Sequence, residues 1–176
     1  MTDRVMVDIE TLGRSPGAAI LSVACVEFEP GEGLGRELER SITLQSCQDH
    51  GLTVDADTLE WWLDRPSETR QVLRGGDPLG GVLRDMSEWW PRSADEIWSK
   101  SPAFDVVLLA EAYDRLDRDP PWRFWQTRDV RTVFGLVDEP PAVQEVGPDH
   151  DAMADAKQQA LQVAHILDRV EVGGDD

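Results

Sequence analysis

Cysteine is nearly absent from this 176-residue chain: Cys25 and Cys47 stand alone and far apart, too few for a disulfide framework or a four-ligand zinc site. No apolar run approaches the ~18 to 20 residues that span a bilayer, and the chain opens on a strand-like segment rather than a basic leader followed by an apolar stretch. A soluble, cytoplasmic protein with no membrane attachment is the expectation. Lysine is scarce as well. Apart from Lys100 and Lys157 the 17 basic residues are arginines, and they face 35 acidic ones for a formal net charge of −18. The field of such a chain repels nucleic acid and anionic membrane. Any polyanion it handles must be held by a local device, either bound metal ions or a small arginine cluster. High-salt adaptation would leave an acid excess with few lysines, and a GC-rich coding bias would favour arginine; the residues do not separate the two.

What is present is enough to fold. Hydrophobic residues make up 40% of the chain and recur in periodic segments, unlike a disordered acidic sequence. The length fits one domain, read here as residues 1–172, with 173–176 as a frayed acidic tail. Residues 4–10 are apolar and β-branched around two acids, which predicts a buried first strand. A second strand is expected over 19–28 and a third around 41–44, joined by Gly- and Pro-containing turns as an antiparallel meander. Helices follow from Asp57-Thr58 to Arg65, from Leu79 to Trp90 and from Ala103 to Leu116, with a short strand at 96–99 between the last two. A fifth strand is expected over 122–127, a helix over 128–136 and a long helix over 149–170. Strands first, then strand and helix in alternation, predict an α/β fold: a mixed five-stranded sheet flanked by helices.

Acids are informative where a core residue belongs. Asp8 and Glu10 sit at i and i+2 of the first strand, on one face and roughly 6.7 Å apart, close enough to share cations. An edge strand with both side chains in water is the alternative reading. Asp105 follows Phe104 where a strand turns into an apolar helix, the place where ligand sites gather in open α/β sheets. Taken alone, it is equally a first-turn acid complementing the helix dipole. Asp155 lies beside the inward stripe of the last helix, five residues after His150. Five residues rotate a helix by ~140°, so His150 reaches the same site only from at or before the helix cap. Neighbouring tryptophans on a helix point ~100° apart. Trp62 and Trp90 fit the core stripes, which leaves Trp61 as a candidate base-stacking platform or a cover for a loop or subunit contact. Cys25 reads as a small core residue, and His50 and His165 fall in no constellation.

Val7-Asp8-Ile9-Glu10-Thr11-Leu12-Gly13, the Phe104-Asp105 pair and His150-Asp151-Ala152-Met153-Ala154-Asp155 occur in that order. The set resembles the three motifs of the DEDDh family, the ribonuclease H-like 3′-to-5′ exonucleases. The family's first motif, D-x-E-T-x-G, and its third, H-x-x-x-x-D, are both satisfied. Thr58-Leu59-Glu60-Trp61-Trp62-Leu63, Trp98-Ser99 and Arg128-Asp129-Val130-Arg131-Thr132 are similar to the small exoribonuclease-like branch of bacteria and phages. The likeness thus covers nearly the whole chain, with a departure at Lys100-Ser101, where that branch often carries Asn-Gly.

The resemblance implies a ribonuclease H-like fold in which Asp8, Glu10, Asp105 and Asp155 bind two divalent cations. Carboxylate-only ligation suits Mg²⁺ or Mn²⁺. His150 would be the general base, a role that suits an imidazole with its ordinary pKa of ~6.5. Thr11 and Leu12 would border the terminal nucleotide. The implied substrate is the 3′ end of RNA or a short single strand, released as nucleoside 5′-monophosphates. A DNA exonuclease with the same site is the neighbouring reading, since no 2′-hydroxyl sensor is legible. A non-catalytic nucleic-acid-binding module on this fold would be expected to have lost an acid or the histidine, and all five are present. Arg128, Arg131 and Lys100 are candidates for local phosphate contact, and a homodimer would match the family's habit.

Overall fold

The computed structural model describes residues 3–143, 147 and 150–172; the tail expected at 173–176 lies outside the described residues. Strand β1 (Asp3–Thr11) pairs antiparallel with β2 (Ile20–Glu29), and β2 pairs antiparallel with β3 (Gly33–Ser41). On its other side β1 runs parallel to β4 (Ala94–Ser99), and β4 parallel to β5 (Thr127–Asp129), giving the order β3-β2-β1-β4-β5. This is the mixed five-stranded sheet that the sequence predicts.

Alternation along β1 divides the core. Val5, Val7 and Ile9 pack into one cluster with residues of α2 (Ala56–Leu63), α3 (Leu79–Trp89) and α4 (Asp105–Asp114). Met6 points the other way, into a second cluster with α5 (Val130–Phe134) and α6 (Ala152–Val172). Both faces of β1 are therefore covered, which is why the strand reads as a nearly continuous apolar run. On α6, Ala156, Ala160, Val163 and Ala164 are buried as expected, and their small side chains let the helix lie close over β1 and β2. Trp62 and Trp90 are in the core, and Cys25 is fully buried. None of the described helices is long and apolar enough to cross a membrane.

Several boundaries differ from expectation. The third strand runs over Gly33–Ser41, not 41–44, and Leu44 opens a short helix α1 (Leu44–Asp49). β3 is an edge strand with a solvated face, so its Arg36-Glu37-Leu38-Glu39-Arg40 buries only Leu38 and lacks an apolar signal. Asp55, not Asp57 or Thr58, caps α2, accepting from the Thr58 backbone N–H at 2.8 Å. The fifth strand is Thr127–Asp129 rather than 122–127. Phe124–Gln126 forms a 3₁₀ turn ahead of it, and Trp122 packs against Trp90 and Tyr113 with ring centroids 5.4 and 5.8 Å away. Helix α3 starts at Leu79 as expected, whereas α4, α5 and α6 start two or three residues later: Asp129 caps α5, and Asp151 accepts from the Ala154 N–H at 2.8 Å at the start of α6.

Candidate active site

The same alternation that sends Val7 and Ile9 beneath α3 and α4 turns Asp8 and Glu10 toward the face that α6 covers. Asp155 lies in the first turn of α6 and meets them there: Asp8, Glu10 and Asp155 each offer a carboxylate oxygen, all within 4.8 Å of one another. One helical turn further on, Gln159 Nε2 donates to Asp8 Oδ1 at 3.0 Å, while its Oε1 is buried and has no hydrogen-bond partner among the described residues. Asp105, the first residue of α4, is buried beside this triad; α4 follows β4, the parallel neighbour of β1. Two of the four acids thus come from one central strand and two from the starts of two helices.

Asp8 and Glu10 are half-buried and Asp105 is buried, which shifts their protonation. Burial raises Asp8 well above its ordinary value, and the charges of Asp105, Asp155 and Glu10 push the same way, with only the Gln159 hydrogen bond opposing. Glu10 is raised to about 8, first by burial and then by Asp155, Asp105 and Asp151. Burial raises Asp105 to about 6 against the hydroxyl of Ser99 and nearby backbone groups. No cationic side chain among the described residues offsets these charges at Asp8, Glu10 or Asp105. Converging carboxylates, all oxygen donors, fit a hard divalent cation.

A pH dependence follows. A carboxyl raised on folding stabilises the metal-free protein fully below its ordinary range, and that stability is lost as pH climbs through the folded value. Between the ordinary 4.5 of Glu10 and its folded value of about 8, the melting temperature of the chelator-treated protein should fall. Added Mg²⁺ or Mn²⁺ should raise it, by an increment that grows with pH. Scanning fluorimetry from pH 4.5 to 8.5 reads both; a metal increment independent of pH would exclude these protonated carboxyls as the ligands.

A cleft of about 350 Å³ opens beside the acids, lined by Glu10, Thr11, Arg14, Trp61 and Phe104 among others. Its wall is built where β1 ends. The Trp62 indole donates to the Thr11 carbonyl at 2.9 Å and the Asp55 N–H to the Leu12 carbonyl at 2.7 Å, which docks α2 on the strand and leaves Trp61 facing outward, 37% exposed. Of the two residues expected to border a nucleotide, Thr11 lines the cleft and the Leu12 side chain does not: it is fully buried in the core. His150 precedes α6, as the five-residue spacing requires, with φ of 61°. Its ring stands edge to face with Trp61 at 4.8 Å and with Trp62 at 6.4 Å.

Three contributors were not legible in the sequence as site residues. Gln159 is one, although its position four residues after Asp155 places it on the same helix face. Arg14 reaches the cleft from the loop after β1, and the Arg65 guanidinium lies 4.3 Å over the Trp61 ring. Neither belongs to a periodic pattern. Lys100, Arg128 and Arg131 do not line the cleft; Arg128 pairs with Glu96 at 3.1 Å. His50 and His165 are exposed outside it.

A family model described as the 3′-5′ exoribonuclease Rv2179c-like domain matches residues 3–167. The exodeoxyribonuclease of Enterobacteria phage T4 is 22% identical over 160 residues, spanning 72% of this chain and 68% of the phage protein. Among solved structures, E. coli Exonuclease I in complex with a 5cy-dA13 oligonucleotide superposes with a TM-score of 0.65 at 14% identity, over 98% of this chain and 43% of that chain. The Mg²⁺- and Mn²⁺-bound form of S. pombe Pop2p gives 0.65 at 12% identity, over 98% of this chain and 86% of that chain. The chain therefore spans less than half the length of the Exonuclease I chain. At these identities the likeness shows the fold, which is the ribonuclease H-like one.

Proposed function

The chain belongs to the 3′-5′ exoribonuclease Rv2179c-like domain family, and from that premise we propose that it hydrolyses the 3′-terminal phosphodiester of RNA or short single strands, releasing nucleoside 5′-monophosphates. The observation that carries the reading is the meeting of Asp8, Glu10 and Asp155 within 4.8 Å, with Asp105 alongside. Asp8, Glu10, Asp105 and Asp155 would hold two divalent cations, Mg²⁺ or Mn²⁺. Such ions, when bound, neutralise charge on the scissile phosphate and polarise its oxygens.

The chain's own groups do the rest. His150 is the general base: its imidazole takes the proton of the attacking water, and support for the role comes from its ring contacts with Trp61, which lines the cleft, and with Trp62. Trp61 offers its exposed surface to the terminal base, steadied from behind by Trp62 at 5.1 Å. Thr11, whose hydroxyl is engaged with the Gly13 carbonyl at 2.7 Å, borders the nucleotide as a fixed wall. Arg14 supplies positive charge at the cleft. Leu12 acts from beneath, as packing that fixes the end of β1.

A DNA-directed activity on the same site is favoured by one observation, the relative named as an exodeoxyribonuclease. Oligonucleotides of RNA and DNA labelled at either end, with Mg²⁺ or Mn²⁺, separate the readings. The expected result is a ladder receding from the 3′ end, 5′-monophosphate as product and faster loss of RNA. A faster loss of DNA reverses the sugar preference. Binding without shortening under every metal and salt condition leaves a non-catalytic module.

A further inference from the structure

The charge of this chain is unevenly spread. Between Pro120 and Val137 stand three arginines, Arg123, Arg128 and Arg131, against a single acid, Asp129, in a molecule of net charge −18. The same segment holds the two most exposed aromatic side chains among the described residues: Phe124 is 85% and Trp125 63% exposed. Their rings meet edge to face at 5.1 Å and leave their outer surfaces to solvent. Two adjacent aromatics this open are costly unless something covers them.

The segment runs along the sheet edge from the acid site to the opposite end. At one end, Ser99 of β4 lies opposite Asp129 of β5, and the chain beyond Ser99 passes Lys100 before entering α4 at Asp105. There the Arg131 Nε donates to the Lys100 carbonyl at 2.7 Å. At the other end, Gln126 Nε2 donates to the Ala94 carbonyl at 2.8 Å, fixing the Phe124–Gln126 turn beside the start of β4. Through Val130 and Val133, α5 joins the cluster on the face that carries Asp8 and Glu10. Glu96, the acid within this edge, is already engaged by Arg4 at 3.0 Å and Arg128 at 3.1 Å. The length of β4 sets the span at about 16 Å, or about five stacked nucleotides at ~3.4 Å each.

We propose that Arg123, Phe124 and Trp125, continued by Arg128 and Arg131, form a second contact surface for single-stranded nucleic acid, taking the strand on the 5′ side of the nucleotides held at the acids. Its place on a substrate path rests on the exonuclease reading. Charge complementarity selects this occupant: arginines gathered in an otherwise acidic molecule attract a polyanion, and open aromatic faces stack bases without regard to sequence. A dinucleotide bound at the acids is too short to reach this surface. An oligomer of a dozen nucleotides reaches it.

Two measurements test this on the full chain. In chelator, fluorescence anisotropy with a labelled 12-mer blocked by a 3′-phosphate reads binding alone. Trp125→Ala should weaken it roughly 5- to 150-fold, the range for losing one stacked base, and Trp125→Tyr should restore most of it. Arg123→Gln should lower the slope of log affinity against log salt by about 0.7. In Mn²⁺, Trp125→Ala should raise KM for the 12-mer and leave dinucleotide hydrolysis unchanged. If the wild type cuts nothing yet the anisotropy effect holds, the surface stands and the exonuclease reading falls. Unchanged 12-mer affinity and KM overturn the surface even if the enzyme is active. So does a Trp125→Ala protein whose mass by light scattering drops from dimer to monomer, since the aromatics then belong to a subunit contact.

Discussion

Asp8→Asn is expected to cut hydrolysis by about 10³-fold or more while leaving a metal-free protein that melts higher than the wild type at pH 8. Both effects come from one charge. Asp8 lies within 4.8 Å of Glu10 and Asp155, so its loss removes one of the carboxylates proposed to hold the cations. Metal-assisted stabilisation of a transition state is worth several kcal/mol, and each ~1.4 kcal/mol is a factor of ten in rate. The stability gain arises because burial and three neighbouring acids act against the Asp8 charge in the folded protein. An asparagine carries no charge there, and its carbonyl oxygen still accepts from Gln159. Steady-state rates with a 3′-end substrate and melting curves in chelator check the pair. Activity within tenfold of wild type would remove Asp8 from the ligand set; lost activity with lowered stability would point to a packing defect.

His150→Ala is expected to lower kcat by ~10² to 10⁴, the usual range for a general base, with the metal-dependent rise in melting temperature intact. His150 is exposed and touches the fold chiefly through the Trp61 and Trp62 rings, so its removal leaves the acids in place. Its φ of 61° disfavours alanine and is tolerated by asparagine, which makes His150→Asn the cleaner variant. A kcat unchanged in both would assign proton removal elsewhere. A fall in kcat together with loss of the metal response would mean that the start of α6, and with it Asp155, had shifted.

The acids were legible because they break a rule. Asp8 and Glu10 interrupt a strand otherwise written in Val, Met and Ile, and the i, i+2 spacing places them on one face whatever the rest of the fold does. His150 was constrained in the same local way, by the rotation between it and Asp155. What was not legible depends on contacts distant in sequence. Gln159 meets Asp8 across 151 residues, Arg14 enters the cleft from the loop after β1, and Arg65 lies over the Trp61 ring from just past the end of α2. Leu12 was placed at the cleft with its neighbour, yet its side chain lies in the core after the irregular register at Glu10. In the fold, the apolar strands β1, β2 and β4 were visible, whereas β3 is charged and β5 has three residues. Their pairing comes from the neighbour strand's backbone, not from their own pattern.

The alanines of α6 have a consequence for how such a site is kept. Ala156 and Ala160 flank Gln159 and follow Asp155 on a helix pressed against the sheet, so the gap between Asp155 and the strand acids is set by the thickness of a methyl group. Catalytic competence is in this sense a matter of girth. A bulkier apolar residue at either position, harmless by hydrophobicity, would lift the helix and part the carboxylates without touching one of them.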